Sequence, residues 1–469
     1  MHNLRRTIIT GTERNFLKMQ PIRIQPILAR EGKPSVDIAE ASRIIGEAAV
    51  FNDLICIRDK KHWEQVISTL PDDVDAIMPI SSPCYPTEIW NESPEVLARR
   101  GLPVIFWPLI RFDEPDFWKW SATDMLRALG VTVYLVNNCH EGVTLIKAMA
   151  VKKFLASSRM VVFGKQNFPW NVHAAGKFIR ESFGTELIIK PLEAFRKAGE
   201  NFTEKELLAF WEQHSARYLD QVPDRRELLT ALRTYFGIRA ILDAEKACGF
   251  GVNCYGELII EGSRDVPCLA QCLAREEGFI AACDGDFCAM LNMAMVTFLL
   301  DAPCMMSNLY PLNYIGALTE HFGDPLAAKP EYAVYGRNLA RLAHCGYVGV
   351  VSPEMVPGGR ARLSDWGGTY ELKRDGKGCG VDSDLAGKQE FTGMELHFNG
   401  KDMVLVHGEI LESTRHAGMP HCESSALLRF DDLDFFVRHV SREHIVVTYG
   451  DRRRELEILA QVLGVNIHN

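Results

Sequence analysis

The stretch FIAACDGD, residues 279–286, decides the predicted fold of this chain. Its first five residues are apolar and follow the turn signal Glu277-Gly278, which is typical of a strand buried on both faces. The strand ends in two carboxylates, Asp284 and Asp286, and the apolar run 287–300 begins immediately afterwards. That run is long enough to form a core helix. Carboxylates at such a junction can bind a metal ion or move a proton.

A second short strand is predicted at residues 304–308, after the helix breaker Asp301-Ala302-Pro303. This strand ends at the polar pair Ser307-Asn308. A strand, a crossover helix and a second strand form a unit in which both strands run parallel and their carboxyl ends share one edge of the sheet. We therefore expect Asp284 and Asn308 to lie near each other, at the edge where open α/β sheets bind ligands.

Length and composition indicate an ordinary globular protein. The chain has 469 residues, which suggests roughly three domains. Apolar residues make up 47% and charged residues 24%, without an uncharged apolar run of about 18 residues, so a membrane span is not expected. The net charge of −9 argues against a general nucleic-acid binder.

Cysteine usage predicts a reducing compartment. The thirteen cysteines are odd in number and scattered, and several lie within apolar segments. This pattern favours reduced thiols and a cytoplasmic protein. The N-terminal sequence has no apolar signal core after its basic residues, so secretion is not expected.

The order of the predicted elements gives an α/β fold with three domains. Residues 1–157 alternate strands and helices, and residues 158–328 repeat that alternation and contain the strand-end carboxylates. Both regions are predicted to be doubly wound domains with parallel sheets. Residues 329–469 carry short alternating strands and a terminal helix, which predicts a β-rich, barrel-like domain. Asn399-Gly400-Lys401 is a strong hairpin signal within it.

Several polar residues are candidates for a site, and each also has a structural interpretation. An aspartate before a helix commonly caps it, but one cap needs only one of Asp284 and Asp286. Two carboxylates so close repel each other, which favours a cation or a proton between them. His344 and His444 each border an apolar strand and are further candidates. The glycines at 249–251 precede a strand, which is the wrong order for a dinucleotide-binding loop.

Three local patterns carry a resemblance to one enzyme family. The first is the strand end 282–286 followed by an apolar helix; the second is Asn308 at the end of the next strand. The third is His444 before the strand-like run 447–450, which ends in Tyr-Gly. Together these patterns resemble the L-fucose/L-arabinose isomerase family, and especially its L-fucose isomerase-like proteins. The order of the predicted domains resembles that of the family over essentially the full chain.

The resemblance implies a metal-dependent aldose–ketose isomerase of carbohydrate metabolism. In that family a glutamate, an aspartate and a histidine bind a divalent metal ion, usually manganese, which grips the open-chain sugar while a proton moves through an enediol. The corresponding residues here are Asp284, Asn308 and His444, so the ligand set is altered in two positions. Magnesium would suit the same oxygen-rich ligands. Asp284 and Asp286 are the implied acid/base groups, and Glu257 and Glu261 are alternatives.

Two hypotheses remain open. The first is an isomerase acting on a monosaccharide through Mn²⁺ or Mg²⁺. The second is a divergent member without the isomerase metal, which binds a sugar-like ligand or performs different chemistry in the same cleft. The resemblance further implies a homo-oligomer, either a trimer or a hexamer, and substrate contacts from His344 and Trp90. A small sugar is the implied partner, with no role for nucleic acid or membrane.

Overall fold

The computed structural model describes residues 15–28, 34, 37–80, 93–107, 117–219, 224–259, 265–313, 329–365, 378–385, 387–413 and 424–469. The chain divides into two compact units. The smaller unit comprises residues 19–154, and the larger unit comprises residues 155–469 with the segment up to residue 18. The second and third predicted domains thus share one compact unit. Among the described helices, none combines the length and the apolar character needed to cross a membrane.

The smaller unit is built on a parallel sheet. Its strand order is β2-β1-β4-β5-β6, and β3 also pairs with β1. All of these pairings are parallel, as the alternation of strands and helices predicts. The elements of this part of the chain are β1 (Ile22–Leu28), α1 (Ile38–Ile45), β2 (Ala49–Phe51), β3 (Ile55–Cys56), α2 (Lys60–Thr69), β4 (Ala76–Pro79), α3 (Glu95–Arg100), β5 (Val104–Phe106), α4 (Trp120–Ala128), β6 (Val133–Leu135) and α5 (Cys139–Ser157), with 3-10 turns at Gly46–Ala48 and Phe117–Lys119.

The larger unit begins with a second parallel sheet, whose strand order is β11-β10-β7-β8. This part of the chain alternates strands and helices, as predicted. The elements are β7 (Arg159–Phe163), α6 (His173–Phe183), β8 (Glu186–Lys190), α7 (Leu192–Gly199), α8 (Glu204–His214), β9 (Tyr218–Leu219), α9 (Arg225–Glu245), β10 (Gly249–Val252), a π-helix (Cys254–Ile259), α10 (Cys268–Glu276), β11 (Ile280–Ala282) and α11 (Phe287–Leu300).

Most of a closed antiparallel barrel lies in the predicted β-rich region, but its strand β12 (Cys304–Pro311) lies in the region predicted as the second α/β domain. Six strands follow one another in the order β16-β19-β12-β13-β18-β17, and pairing of β17 with β16 closes the ring. The predicted hairpin turn at 399–401 joins β16 to β17, and Gly400 adopts a φ of 65° there. The remaining elements are β12 (Cys304–Pro311), β13 (Leu339–His344), β14 (Ala361–Asp365), β15 (Cys379–Asp382), β16 (Gln389–Leu396), β17 (Asp402–Glu412), β18 (Ser424–Phe430), α12 (Leu433–His439), β19 (His444–Tyr449), α13 (Arg453–Leu463) and β20 (Asn466–His468).

Two additions complete the larger unit. β20 pairs in parallel with the start of β17, outside the closed ring. A separate three-stranded sheet has the order β15-β14-β9. The architecture is therefore mixed α/β, with parallel sheets followed by a β-rich region, as expected.

The prediction that residues 279–308 form a parallel crossover unit is wrong. β11 belongs to the parallel sheet, whereas β12 belongs to the barrel and pairs antiparallel with β13 and β19. A short apolar strand does not encode the direction of its neighbours, so the pattern of residues 304–308 fits either sheet. α11 therefore links two different sheets. Twelve of its fourteen residues are buried, which explains why the helix is apolar on every face.

The glycines at 249–251 lie within the short strand β10. β10 ends at Val252, and the chain enters a π-helix at Cys254. The Asn253 side chain accepts a hydrogen bond from the backbone N–H of Gly256 at 3.2 Å, which turns the chain out of the sheet. π-Helical segments are rare and are frequently found at functional sites.

We expect Gly237→Ala to destabilise the larger unit. A Cβ atom at Gly237 in α9 would overlap the carbonyl oxygen of Phe195 in α7, because these two helices pack with almost no space between their backbones. Overpacking of this kind costs about 1–3 kcal/mol, so the melting temperature measured by calorimetry should fall. Gly387→Ala is the matched control, since its nearest atom lies at 3.8 Å, and it should melt as the wild type does. Equal melting of the two variants would contradict this packing.

Candidate functional site

The candidate site lies at the carboxyl ends of β10 and β11, which we call the site edge. The chain turns sharply there, because Asp284 and Gly285 have positive φ angles of 55° and 66°. A left-handed conformation is uncommon for a residue other than glycine and persists where its surroundings hold it. The Asp284 carbonyl accepts hydrogen bonds from Trp170 Nε1 at 2.9 Å and Asn171 Nδ2 at 3.1 Å. These two contacts fix the turn and with it the Asp284 carboxylate.

Asp286 is completely buried, and both of its oxygens have partners. Oδ1 accepts from the backbone N–H of Ala289 at 2.8 Å and caps α11. Oδ2 lies 2.8 Å from His444 Nδ1 and 3.0 Å from Arg442 Nε. Burial raises the pKa of Asp286, but the Arg442 charge and the His444 hydrogen bond outweigh burial and leave this pKa below its usual range. The capping interpretation thus holds for Asp286, and Asp284 is left for another role.

His444 lies between the two carboxylates. Its Nδ1 contacts Asp286, and its Nε2 lies 3.5 Å from Asp284 Oδ2. Burial lowers the pKa of His444, but the hydrogen bonds to Asp284 and Asp286 outweigh burial and raise this pKa to about 9. Because Asp286 holds Nδ1, Nε2 is the nitrogen presented to Asp284. Carboxylate–histidine pairs of this kind orient the histidines that bind metals.

Arg442 and Glu395 extend this arrangement of alternating charges. Arg442 Nη1 lies 2.8 Å from Glu395 Oε1 and donates to the carbonyl of Leu396 at 2.7 Å. The Glu395 side chain is fully buried and accepts a second hydrogen bond from the backbone N–H of Ser441 at 3.1 Å. Buried charges of this kind are tolerated only when each is paired and hydrogen-bonded. The barrel therefore supplies the counter-charges that keep Asp286 ionised.

Asn308 stands directly opposite His444 in the pairing of β12 with β19. Opposite residues in an antiparallel pair share one face and have Cβ atoms roughly 5 Å apart. The Asn308 amide nitrogen donates to Tyr310 Oη at 3.1 Å, whereas its Oδ1 is buried and has no hydrogen-bond partner among the described residues. Buried acceptors are usually satisfied, so this Oδ1, on the strand face that Asn308 shares with His444, is a candidate ligand for a cation.

Two thiols crowd the other oxygen of Asp284. Cys254 Sγ donates to Asp284 Oδ1 at 3.2 Å and lies 3.0 Å from Cys283 Sγ. The ligand atoms of these three buried residues all lie within 4.8 Å of one another, so they could hold a metal ion. The Cys283 hydrogen bond lowers the pKa of Cys254, but burial and the Asp284 charge outweigh it and raise this pKa to about 11, so the Cys254 thiol keeps its proton in the absence of a metal.

His344 and Cys345 adjoin these thiols. Cys345 hydrogen-bonds with Cys283, and its Sγ lies 3.6 Å from His344 Nδ1. The Cys283 hydrogen bond and the His344 charge outweigh burial and hold the pKa of Cys345 well below its usual range. Burial lowers the pKa of His344, yet the contacts with Cys345 and the Asp284 charge leave it raised. The structure thus brings His344 to the site, where it interacts with Asp284 and His444.

Three further predicted residues have different outcomes. Trp90 and Glu261 lie outside the described residues. Glu257, on the π-helix, accepts a hydrogen bond from the backbone N–H of Lys165 at 2.5 Å. A Cβ atom at Gly164, which follows β7 and has a φ of 107°, would overlap the Glu257 carboxylate. The carboxylate therefore lies where the sheet order reverses between β7 and β10, the position at which α/β sheets bind ligands.

Sequence reasoning missed Cys254, Cys283, Cys345, Arg442 and Glu395. The cysteines carried one usable signal, because Cys254 and Cys283 each lie in a strand predicted for the second domain. No sequence signal marked Arg442 and Glu395 as site residues, since a charged residue next to an apolar strand is normally exposed. Only the pairing of β16 with β19 brings these two residues together.

The site therefore offers two ligand sets that share one carboxylate. Asp284 Oδ2 faces His444, whose strand partner is Asn308, and Asp284 Oδ1 faces the thiols of Cys254 and Cys283. Either set can bind a divalent cation, and the carboxylate can also accept a proton. Neither a protein-family model nor a curated protein matches this chain, so the chemistry of these residues is what bears on its function.

We expect metal-stripped protein to lose stability as the pH rises through about 9. The pKa of His444 is raised from 6.5 to about 9 on folding, so the imidazolium contributes fully below pH 6.5 and its contribution disappears above the folded pKa. The loss should be on the order of 3 kcal/mol. Thermal melting of chelator-treated wild type and His444→Gln at a series of pH values should show this decline in the wild type only.

The exposed His173→Gln variant is the control and should keep the wild-type pH dependence. A His444→Gln protein that still shows the full alkaline decline would contradict the charge assigned to His444.

Proposed function

We propose that the protein is an aldose–ketose isomerase that binds a monosaccharide at the site edge together with a divalent cation. The observation that carries this proposal is the buried Oδ1 of Asn308, which has no partner among the described residues and stands opposite a histidine whose Nε2 faces Asp284. Asn308 lies within β12, His444 begins β19 and Asp284 follows β11. This placement supports the ligand set implied by the resemblance.

The donor set fits a cation of the manganese or magnesium type. Asp284, Asn308 and His444 would hold it, and they supply two oxygens and one nitrogen. When bound, such a cation polarises the oxygens of an open-chain sugar and stabilises negative charge on them. The neutral Asn308 contributes no charge, so the affinity for the cation should be lower than with two carboxylates. Asp286 would keep His444 oriented through Nδ1.

The roles of the two aspartates differ in this proposal. Asp286 is fully buried and uses both oxygens in contacts with Ala289, His444 and Arg442. It was expected to exchange protons with the substrate, but we propose that it acts as a positioning residue for His444. Asp284 retains slight exposure, at 9%, and remains the candidate for contact with the sugar.

Glu257 is the best-placed second acid/base group. It lies about one helical turn beyond Cys254, whose thiol bonds to Asp284, and it is only partly buried. A carboxylate held by a backbone N–H at the β7–β10 crevice can take a proton from one carbon of a sugar and return it to the next. Gly164 is required there because any side chain would displace this carboxylate.

Two aromatic side chains border the site. Trp170 stacks on Phe168 with ring centres 4.6 Å apart and lies beside the His444 ring, so this pair supplies the kind of aromatic lining that small-molecule pockets use. His344 and Trp90 remain proposed substrate contacts. The doubly wound arrangement of the parallel sheets, assembly as a trimer or hexamer and a cytoplasmic location also remain proposals.

The cysteines favour a second candidate function. Cys254, Cys283 and Cys345 surround one side of Asp284, and thiols are not ligands that manganese or magnesium prefers. A divergent member of the resembled family could use the same cleft for different chemistry on a sugar-like ligand. Turnover assays decide between the two candidates.

We expect Asp284→Asn to abolish turnover while the fold is retained. The change removes the charge that Asp284 offers to the proposed cation and its ability to take a proton, and losses of roughly 10²- to 10⁴-fold are typical when acid/base function is removed. NMR would follow exchange of the proton next to the carbonyl with solvent deuterium, over a panel of aldoses and ketoses with added Mn²⁺.

Asp301→Asn is the matched control for Asp284→Asn. Asp301 also has a positive φ, of 50°, but it is exposed at the opposite end of α11. It should retain the full rate. An Asp284→Asn variant with wild-type turnover would refute the assigned site, and the absence of exchange on every sugar would remove the isomerase proposal.

Glu257→Gln should lower kcat and leave Mn²⁺ binding unchanged. The amide keeps the shape of the side chain and can still accept the Lys165 hydrogen bond, but it cannot take a proton. Parallel measurements of turnover and of Mn²⁺ affinity separate these effects. A variant that loses Mn²⁺ binding would make Glu257 a ligand instead, and one with unchanged kcat would exclude it as the acid/base group.

A further inference from the structure

Two cysteines and an aspartate form a compact group at the site edge. β10 and β11 are adjacent parallel strands, with Gly251 beside Ala282. Cys254 lies two residues beyond the end of β10, and Cys283 lies one residue beyond the end of β11. Parallel pairing therefore places both thiols on the same edge, next to Asp284.

The spacing of the group suits a tetrahedral metal ion. The two sulfurs are 3.0 Å apart, and Cys254 Sγ lies 3.2 Å from Asp284 Oδ1. Around a zinc ion, with bonds of about 2.3 Å, neighbouring sulfurs lie about 3.7 Å apart. A small outward movement of the two thiols would thus admit the ion. Each sulfur contacts the other, whereas a buried cysteine that serves only as a small apolar residue packs against hydrocarbon. This contact therefore favours a ligand role for the two thiols.

The donor chemistry selects the class of cation. Thiolates prefer zinc and other thiophilic ions over manganese and magnesium. Three protein ligands leave one of the four zinc positions open, which is the arrangement of catalytic zinc sites. The nearest further donor is Cys345, whose thiol contacts Cys283. Asp284 is held in its left-handed conformation by Trp170 and Asn171, so its carboxylate is already positioned.

We propose that Cys254, Cys283 and Asp284 bind a thiophilic divalent cation, with zinc as the natural occupant. Both thiols release their protons to solvent as the sulfurs bind the ion. This inference goes beyond the proposed function by adding a second cation site, and it rests on that function only for the use of Asp284 as a ligand. Zinc would occupy the Oδ1 side of the carboxylate, whereas the set with His444 and Asn308 uses the Oδ2 side.

The test measures metal binding without any substrate. Full-length protein, stripped with a chelator and kept under reductant, is titrated with Cd²⁺, Zn²⁺ or Mn²⁺ alone. We expect Cd²⁺ to produce sulfur-to-cadmium charge-transfer absorbance. Added Zn²⁺ should displace Cd²⁺ and abolish this absorbance. The double variant Cys254→Ser/Cys283→Ser should lose this absorbance and more than about 100-fold in Zn²⁺ affinity. Cys248→Ser, at the other end of β10, is the matched buried control and should bind as the wild type does.

A measurement on the wild type covers the case in which the double variant does not fold. X-ray absorption at the zinc edge should show two or more sulfur neighbours at about 2.3 Å. Zinc bound only through nitrogen and oxygen, or unchanged Zn²⁺ affinity in a folded double variant, would overturn the thiolate site.

The outcomes also separate this inference from the proposed function. Unchanged Zn²⁺ affinity in a double variant that keeps Mn²⁺-dependent sugar turnover would leave the isomerase standing and remove the thiolate site. Thiolate-bound zinc in a protein that exchanges no proton on any sugar would support the thiolate site and remove the isomerase proposal.

Discussion

The contact between Asp286 and His444 is the interaction on which the larger unit depends. It joins residues 158 positions apart at 2.8 Å, and it ties the first strand residue of β19 in the barrel to the start of α11 beside the parallel sheet. The same carboxylate caps α11 through Ala289. One buried side chain thus begins a helix, joins two sheets and decides which nitrogen His444 presents to Asp284.

Burial makes this contact depend on its neighbours. Asp284, His444, Asp286, Arg442 and Glu395 alternate in charge, and each lies within ion-pair distance of the next. In a water-free setting a single unpaired charge is very costly, so the members stabilise one another as a set. The arrangement places the reactive end, Asp284, at the site edge and the remaining members in the protein interior.

The sequence predicted much of this fold and part of the site. The parallel strands, the 399–401 hairpin and the β-rich final region followed from periodicity and turn residues. The partners of β12 did not, because a short apolar strand such as 304–308 is compatible with either direction of pairing. The cysteines at the site edge were interpreted as ordinary apolar residues, since thiols reveal a ligand role only through their neighbours in space. Arg442 and Glu395 could not be recognised, because sequence position does not show that an ion pair is buried.

The course of the chain between Asp284 and Asn308 fixes the dimensions of the site. The fourteen residues of α11 run about 21 Å away from the site edge, and β12 returns along the barrel to bring Asn308 opposite His444. Asp284 and Asn308, two of the proposed ligands, therefore lie at the two ends of one segment that leaves the site edge and returns. The number of residues in this segment sets its length. Because each added residue turns a helix by about 100°, any change of length in α11 would alter the register between the two sheets. The length of α11 therefore sets the distance between these ligands as much as the ligands themselves do.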